Sequence, residues 1–409
     1  MTPQDGAAAF SQAAIVAPSP TEEADAAVEA LRRMSVREHV KRILPEDDDH
    51  HFSLQFWGNG FMDMYEDRFL DLENHTVARR LAVNRQLGLK SNRKPGEPLP
   101  QMRWEHCRLT AAINIAIGLH RGLPFKLIAN LALAGLLHDF GHSAFGHDAD
   151  NALVNLCGYS GHERRGLKIV QTDEEIHRVL ELCGVDLADV LTVMAETGPF
   201  GMVQSLADTL SYVEIDCRVI DIDLSDDFIW QVIKPITYVG DSTVSVRNTG
   251  PIQRLLDVRA CMYQQLYRSL RGKIYNAAFA QVLKFAFTVG ALQPEMVVNG
   301  TDDQVIGALR NMFNRGFRVA KWIRSCWKIV NGYMKELKRW ESHSFATSDE
   351  FEQAARKMQF EGVLLVPYYD FGRKVVSVTT PDGTVHNLRA QVNFQMPVDN
   401  LYYILVFKG

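Results

Sequence analysis

The sequence predicts a mainly α protein, a long helical core followed by a small β-containing region at its C-terminal end. Two observations carry this. From about residue 52 to 345, apolar residues recur at helical spacing. After about residue 360, GVLLVPYYDF, KVVSVTT, TVHNLRAQVNFQM and LYYILVF are rich in β-branched and aromatic residues, with Pro381-Asp382-Gly383 as a hairpin turn. A chain of 409 residues holds two modest domains, or one large domain with an appendage. The expected division is 1–51 (tail plus short helix), 52–345 (helical core) and 346–409 (C-terminal α+β element).

The elements follow in order. Residues 1–20, rich in Ala, Pro, Gly and Ser, read as a disordered tail. Thr21 before EEADAAVEALRRM looks like an N-capped helix with acidic residues in its first turn. Glu46-Asp47-Asp48-Asp49-His50-His51 reads as a solvated linker, because consecutive residues cannot all face one ion. WEHCRLTAAINIAIGLHRG, carrying His106, reads as a helix with an apolar face. Pro124 starts FKLIANLALAGLLHD, an apolar helix ending at the pair His138-Asp139. In SLADTLSYVEIDCRVIDI, Asp208, Tyr212 and Asp216 lie at i, i+4 and i+8 on one helix face. Residues 252–290 and 302–345 read as further helices.

Composition excludes several classes. Hydrophobic residues make up 46% and charged residues 23%, ordinary for a soluble globular enzyme. The net charge of −5 gives no global field toward nucleic acid or membrane, so a polyanionic ligand must meet locally clustered Arg and Lys. No apolar run approaches the roughly 20 residues needed to span a bilayer, and no signal peptide is evident. Six scattered cysteines without a CxxC fit buried free thiols and a reducing, cytoplasmic setting.

The segment LLHDFGHSAFGHDAD (136–150) is the most informative in the chain. A catalytic cation with water to activate needs a few N and O ligands and an open position. His106, His138, Asp139 and Asp208 supply two imidazoles and two carboxylates from three helices, a set suited to Mn, Fe or Mg rather than a closed structural Zn site. His147 and Asp150 lie three apart, so on a shared helix face Asp150 would orient His147 and raise its basicity, and His147 could act as general acid. Arg103 precedes His106 by three residues and shares its helix face, where it could fork onto a phosphate. Arg268, Arg271 and Lys273 form a second basic group.

The pattern His106, His138-Asp139, Asp208 resembles the HD phosphohydrolase superfamily. The flanks NRQLG (84–88), RWEH (103–106), HDFGHSAFGH (138–147), GHERRGLKIV (161–170), ADTLSYVEIDC (207–217), RSLRGKIYNAAF (268–279) and TDDQVIGAL (301–309) narrow it toward the deoxynucleotide triphosphohydrolases, the bacterial dGTPases and the vertebrate SAM-and-HD-domain dNTPase. That resemblance implies hydrolysis of a dNTP to deoxynucleoside and inorganic triphosphate, with additional Mg on the triphosphate. It implies proton transfer by His147 and Asp150, and contacts from His142 and His162 to phosphates or the catalytic water. It gives Gln86 and Asp216 the 3′-hydroxyl, Tyr212 and Tyr275 the sugar wall, and Asn276 the base edge. It also implies a symmetric homo-oligomer and leaves open an allosteric nucleotide. Competing readings are an HD-type nuclease, a nucleotide phosphatase, and a non-catalytic dNTP sensor.

The chain departs from the family at three places. Thr209 stands where the vertebrate enzyme has lysine, LKSNRKPGEPLPQ (89–101) replaces a glycine-rich stretch, and no SAM domain is evident.

Overall fold

The computed structural model describes residues 34–44, 49–91, 101–220, 222–240, 243–267, 269–314, 318–358, 362–366, 376–390 and 402–408, and of 49–57 the backbone alone. The tail and helix expected before residue 34, most of the 89–101 stretch, and Arg268 lie outside the described residues.

The described chain is mainly helical, as the periodicity requires. Helices α1 (Val36–Ile43), α2 (Asp49–Asn74) and α3 (Thr76–Leu81) lead into α4 (Arg103–His120) and α5 (Phe125–Leu137). Then come α6 (His147–Cys157), α7 (His162–Thr172), α8 (Glu174–Leu182), α9 (Leu187–Met194), α10 (Gly201–Asp216) and α11 (Phe228–Ile233). The run read as a linker is already helical at Asp49. Phe61, Met62, Tyr65, Phe69 and Leu72 bury one stripe of α2, and cooperative helix growth extends that anchored stripe backwards through the polar residues.

Helix α4 is buried from Arg103 to Leu119 apart from half-buried Arg108, the signature of a central helix packed on nearly every side. It packs on α5 and α10. The Asn114 amide donates to Leu131 O at 2.8 Å and Gln204 Oε1 at 2.7 Å, tying the three helices together through a buried polar link.

After a short hairpin, β1 (Ile236–Gly240) and β2 (Thr243–Val246), come α12 (Gly250–Met262), a π-helical turn (Tyr263–Tyr267), α13 (Leu270–Thr288), α14 (Pro294–Asn299), α15 (Asp302–Asn314) and α16 (Lys321–Val330). The remaining elements are β3 (Trp340–Phe345), α17 (Ser348–Lys357), β4 (Val363–Val366), β5 (Val376–Thr379), β6 (Val385–Leu388) and β7 (Tyr402–Phe407). Two sheets form, in strand orders β1-β2-β5-β6 and β3-β7-β4, with β2 parallel to β5 and the other pairs antiparallel.

The Pro381-Asp382-Gly383 turn joins β5 and β6, with Gly383 at φ +82°. Helical readings over β1, β2 and β3 are corrected: β5 pairs with β2 and β7 with β3, a non-local gain that no local periodicity records, while β1 pairs with β2 in the hairpin. The β3-β7-β4 sheet also crosses the boundary expected at 345/346.

Two hydrophobic cores result. One joins α1–α5 to α8–α12 and takes in β2 and β5; the other joins α6 and α13–α16 to the β3-β7-β4 sheet. The loop 138–147 bridges them, with Phe140 buried in the first and Phe145 in the second. The most chemically loaded segment therefore sits where two cores clamp it.

Candidate metal centre

The site begins with how that loop is held. Arg80 donates to Phe140 O at 3.2 Å and to His142 O, while Arg165 donates to Gly141 O at 3.0 Å and to Ser160 O. Asp302 accepts from the Phe145 N–H at 2.7 Å through Oδ1 and from the Arg85 N–H at 3.0 Å through Oδ2. Phe145 takes φ +61°, an uncommon value for a bulky residue that this carboxylate and the Phe279 ring together hold.

Gly141 faces α7 so closely that a Cβ there would stand 1.9 Å from His162 O. A Cβ at Gly146, where φ is +51°, would stand 2.6 Å from the Arg103 guanidinium. Arg80, Arg165 and Asp302 were not assigned roles from sequence. Single polar residues remote along the chain carry no local signal for a loop they reach only in the fold.

Four groups converge at the end of α5. His106 and His138 bring their Nε2 atoms to 3.1 Å from each other. Asp208 Oδ1 lies 3.0 Å from His106 Nε2 and 3.4 Å from His138 Nε2, and Asp139 Oδ1 lies 3.5 Å from His138 Nε2. Neighbouring ligands of an ion at about 2.1 Å stand roughly 3.0–3.4 Å apart in octahedral or tetrahedral shells. The spacing therefore fits a coordination shell.

The outer hydrogen bonds orient both rings. His138 Nδ1 donates to Gly135 O at 2.8 Å. His106 Nδ1 meets Ser211 Oγ at 2.9 Å, and that hydroxyl's own proton goes to His106 O at 3.0 Å, so the imidazole must be the donor. Both Nε2 lone pairs then face the same point, an arrangement that is repulsive until a cation or proton sits between them.

The electrostatics agree. Burial opposes charge on His138, but the Asp139 and Asp208 carboxylates prevail and raise its pKa to about 9. Burial likewise opposes ionisation of Asp208 and Asp139. For Asp208 the hydrogen bonds from His106 and His138 prevail, for Asp139 the charges of His142, His138 and Arg103, and both stay well below the usual carboxylate range. Two fixed anions and two imidazoles fit a divalent metal ion.

A model of the HD domain matches residues 103–229. That segment is an HD domain. It spans all four converging groups, from His106 on α4 to Asp208 on α10. No curated protein matches the chain. Among solved structures, a phosphohydrolase from Bacteroides thetaiotaomicron is similar in fold, with TM-score 0.59 over 83% of this chain and 95% of its own, at 16% identity.

Beside these four groups lies a second cluster. His142, His147 and His162 pack their rings together, with His142 stacked on His162 at 3.9 Å and His147 edge-on to both. Asp139 joins the two clusters, since its Oδ1 also lies 3.3 Å from His142 Nε2.

One expectation is corrected here. Asp150 does not turn to His147: its Oδ1 binds Arg165 and Ser143 Oγ, and its Oδ2 lies 2.9 Å from His162 Nδ1. Helical spacing placed Asp150 on the right face, but Arg165 captures the carboxylate. His147 keeps an exposed edge, yet its crowded recess, with His162 and Arg103 adding positive charge, lowers its pKa and favours the neutral ring.

Arg103 is also differently placed from the free phosphate fork expected. It is 3% exposed, and its guanidinium donates to Asp139 Oδ2 at 2.8 Å and Gln86 O at 2.7 Å. Beside a buried carboxylate, that pairing satisfies both charges.

The remaining residues expected to contact substrate fall into two groups. On α10, Asp216 accepts from Tyr267 OH through Oδ2, and Arg259 donates to Tyr212 OH. Burial raises the Asp216 pKa to about 7. On α13, Tyr275 is 2% exposed with its hydroxyl held by Arg271 at 2.9 Å, so it is a core residue rather than the open sugar wall expected. Lys273 and Asn276 are half-buried on the same helix. Tyr267, on the π-helical turn, occupies the place beside Asp216 instead. A π turn of this kind is a frequent mark of functional sites, but it cannot be read from sequence spacing.

Proposed function

We propose that the chain is a metal-dependent phosphohydrolase that converts a deoxynucleoside triphosphate and water to a deoxynucleoside and inorganic triphosphate. In that reaction the Pα–O5′ bond breaks, water oxygen joins Pα, and O5′ leaves with a proton. The observation that carries the reading is a set of buried polar atoms without partners. Such atoms also occur elsewhere, as at Asn114 Oδ1 and Trp322 Nε1, but Gln86 Oε1, Arg103 Nε, His142 Nδ1 and Asn276 Oδ1 all belong to residues expected to touch substrate or to act in catalysis. A buried polar atom left unpaired costs about 1–3 kcal/mol, which a ligand would recover.

His106, His138, Asp139 and Asp208 would hold the ion, which when bound supplies a Lewis acid for phosphate oxygens and acidifies water. The chain's own groups do the rest. Arg103 fixes one oxygen of Asp139 and leaves the other facing His138 and His142. Asp216, with Oδ2 held by Tyr267, leaves Oδ1 for a sugar hydroxyl, which supports a nucleoside rather than a bare phosphate ester. Proton delivery by His147 requires the substrate's negative charge to restore a proton that its surroundings disfavour.

Among the described residues no helix is long and apolar enough to cross a membrane. We further propose a homo-oligomer, to be read by light scattering.

The deciding experiment incubates the purified protein with each of the four dNTPs, singly and mixed, with Mn, Mg or Fe(II), and separates products by chromatography. Intact triphosphate and a deoxynucleoside are the expected products. Orthophosphate, pyrophosphate or a 5′-nucleotide would move the assignment to a phosphatase or nuclease. Saturable dNTP binding without turnover would make the chain a sensor.

A further inference from the structure

We infer that α1, α4 and the end of α10 enclose a binding site for a small oxyanion, inorganic phosphate or a phosphoryl group, centred on His39, Arg42 and Arg218. The site shares no residue with the metal centre and does not rest on the reaction proposed above.

The carrying observation is a buried histidine that the described fold does not use. The helical period of α1 turns Val36, His39, Val40 and Ile43 inward, and the helix packs on α4. His39 is 4% exposed, yet neither its Nδ1 nor its Nε2 has a hydrogen-bond partner among the described residues. The ring lines a recess shared with Arg42, Glu105, Glu214 and Arg218. Arg42 Nε is buried and unpaired as well, while Arg42 Nη1 donates to Glu214 Oε1 at 3.0 Å. Arg218 Nη2 donates to that same oxygen at 3.1 Å. Two guanidiniums therefore share one carboxylate oxygen. Glu105 Oε2 is engaged by the Met102 N–H at 3.1 Å.

Buried polar groups are normally paired, so a ring with two open nitrogens beside an open guanidinium N–H marks a place that a ligand completes. The charges around the ring give the ligand its sign. Burial, and after it the charges of Arg42, Arg108 and Arg218, lower the His39 pKa to about 3, so the ring is neutral in positive surroundings. A cation is repelled there and an anion favoured. A neutral imidazole offers one donor and one acceptor. Hydrogen phosphate carries both acceptor oxygens and an O–H, so it suits either tautomer, and a further oxygen can take the Arg42 Nε proton. The Arg42 and Arg218 side chains are 26% and 38% exposed, so the ion can enter between them.

Equilibrium dialysis of the full chain with radiolabelled inorganic phosphate tests the site. His106→Gln, which disables the metal centre, should still bind phosphate saturably. His39→Leu and Arg42→Gln, each added to that background, should weaken the binding about tenfold or more, as loss of a charge-assisted hydrogen bond does. Melting curves separate this from a folding defect. Without phosphate, His39→Leu should melt no lower than its parent, because an apolar side chain replaces an unpaired buried ring. With phosphate, the parent alone should gain in Tm. Displacement of phosphate by dAMP, with the same dependence on His39 and Arg42, supports the site and names a nucleotide's phosphoryl group as its source. Phosphate binding that dAMP does not disturb assigns it to the free ion. No phosphate binding in His106→Gln, or binding that both added substitutions leave unchanged, overturns the site. So does a His39→Leu protein that melts well below its parent, since the ring would then be satisfied within the fold.

Discussion

Ser211→Ala tests how the proposed metal centre at His106 is set. Ser211 is fully buried, so water cannot replace its hydroxyl. Its Oγ accepts from His106 Nδ1 at 2.9 Å while donating to His106 O at 3.0 Å, which forces the proton onto Nδ1 and the lone pair onto Nε2. Alanine leaves a buried Nδ1–H without an acceptor, a loss of about 1–3 kcal/mol in the metal-ready tautomer. The alternative tautomer, with its proton on Nε2, points that proton at Asp208 Oδ1 and blocks the site.

Outer-shell losses of this kind weaken metal binding about 10–100-fold, or roughly 1.4–2.7 kcal/mol. Titration calorimetry with Mn at neutral pH should therefore show a Kd raised by that factor, with Ser211→Cys, a weaker acceptor, in between. An alanine variant that binds Mn within twofold of wild type would refute both the tautomer argument and His106 as a ligand.

Other consequences follow from single contacts. Gly141→Ala places a Cβ 1.9 Å from His162 O and 2.3 Å from Gly166 N. The loop must then leave α7 by more than about an ångström, and thermal unfolding should show a protein that is largely unfolded at room temperature. Asp302→Asn turns an amide N–H toward one of the two backbone donors that Asp302 now serves. Urea unfolding should show about 1–3 kcal/mol lost and weakened metal binding, because Phe145 is released.

Asp216 gives a pH signature. Burial raises its folded pKa from 3.8 to about 7, so across that window the folded chain holds a proton the unfolded chain has shed. Its contribution to stability therefore falls as pH rises, by at most about 1.4 kcal/mol per unit, and is constant above the window. Melting curves of Asp216→Asn should lack this fall. Because the Tyr267 hydroxyl favours the charged carboxylate, Tyr267→Phe should shift the fall to higher pH.

Much of this arrangement was legible from residue order. The helical period located α4, α5 and α10, and placed Asp208, Tyr212 and Asp216 on one face because that spacing is a property of the helix itself. The hairpin at Pro381–Gly383 was equally local. Pairing partners were not. Asp150 binds Arg165 and His162 instead of orienting His147, and Arg103 is spent on Asp139, because a buried charge goes to whichever opposite charge the packing brings nearest. Strands β2 and β3 escaped for the same reason, since β5 and β7, which pair with them, lie more than fifty residues away.

The amino-acid order alone pointed to the side chains suited to metal and proton chemistry and to the helices that present them, since those follow from residue type and a fixed local period. Only the three-dimensional packing decided how they pair. It clamped the loop 138–147 between two cores, and the Ser211 hydroxyl there turns His106 Nε2 toward the site. It also turned the Asp150 carboxylate to Arg165 and His162 rather than to His147. Non-local contacts set those orientations, and at distances of about 3 Å a shift of one ångström exchanges one partner for another.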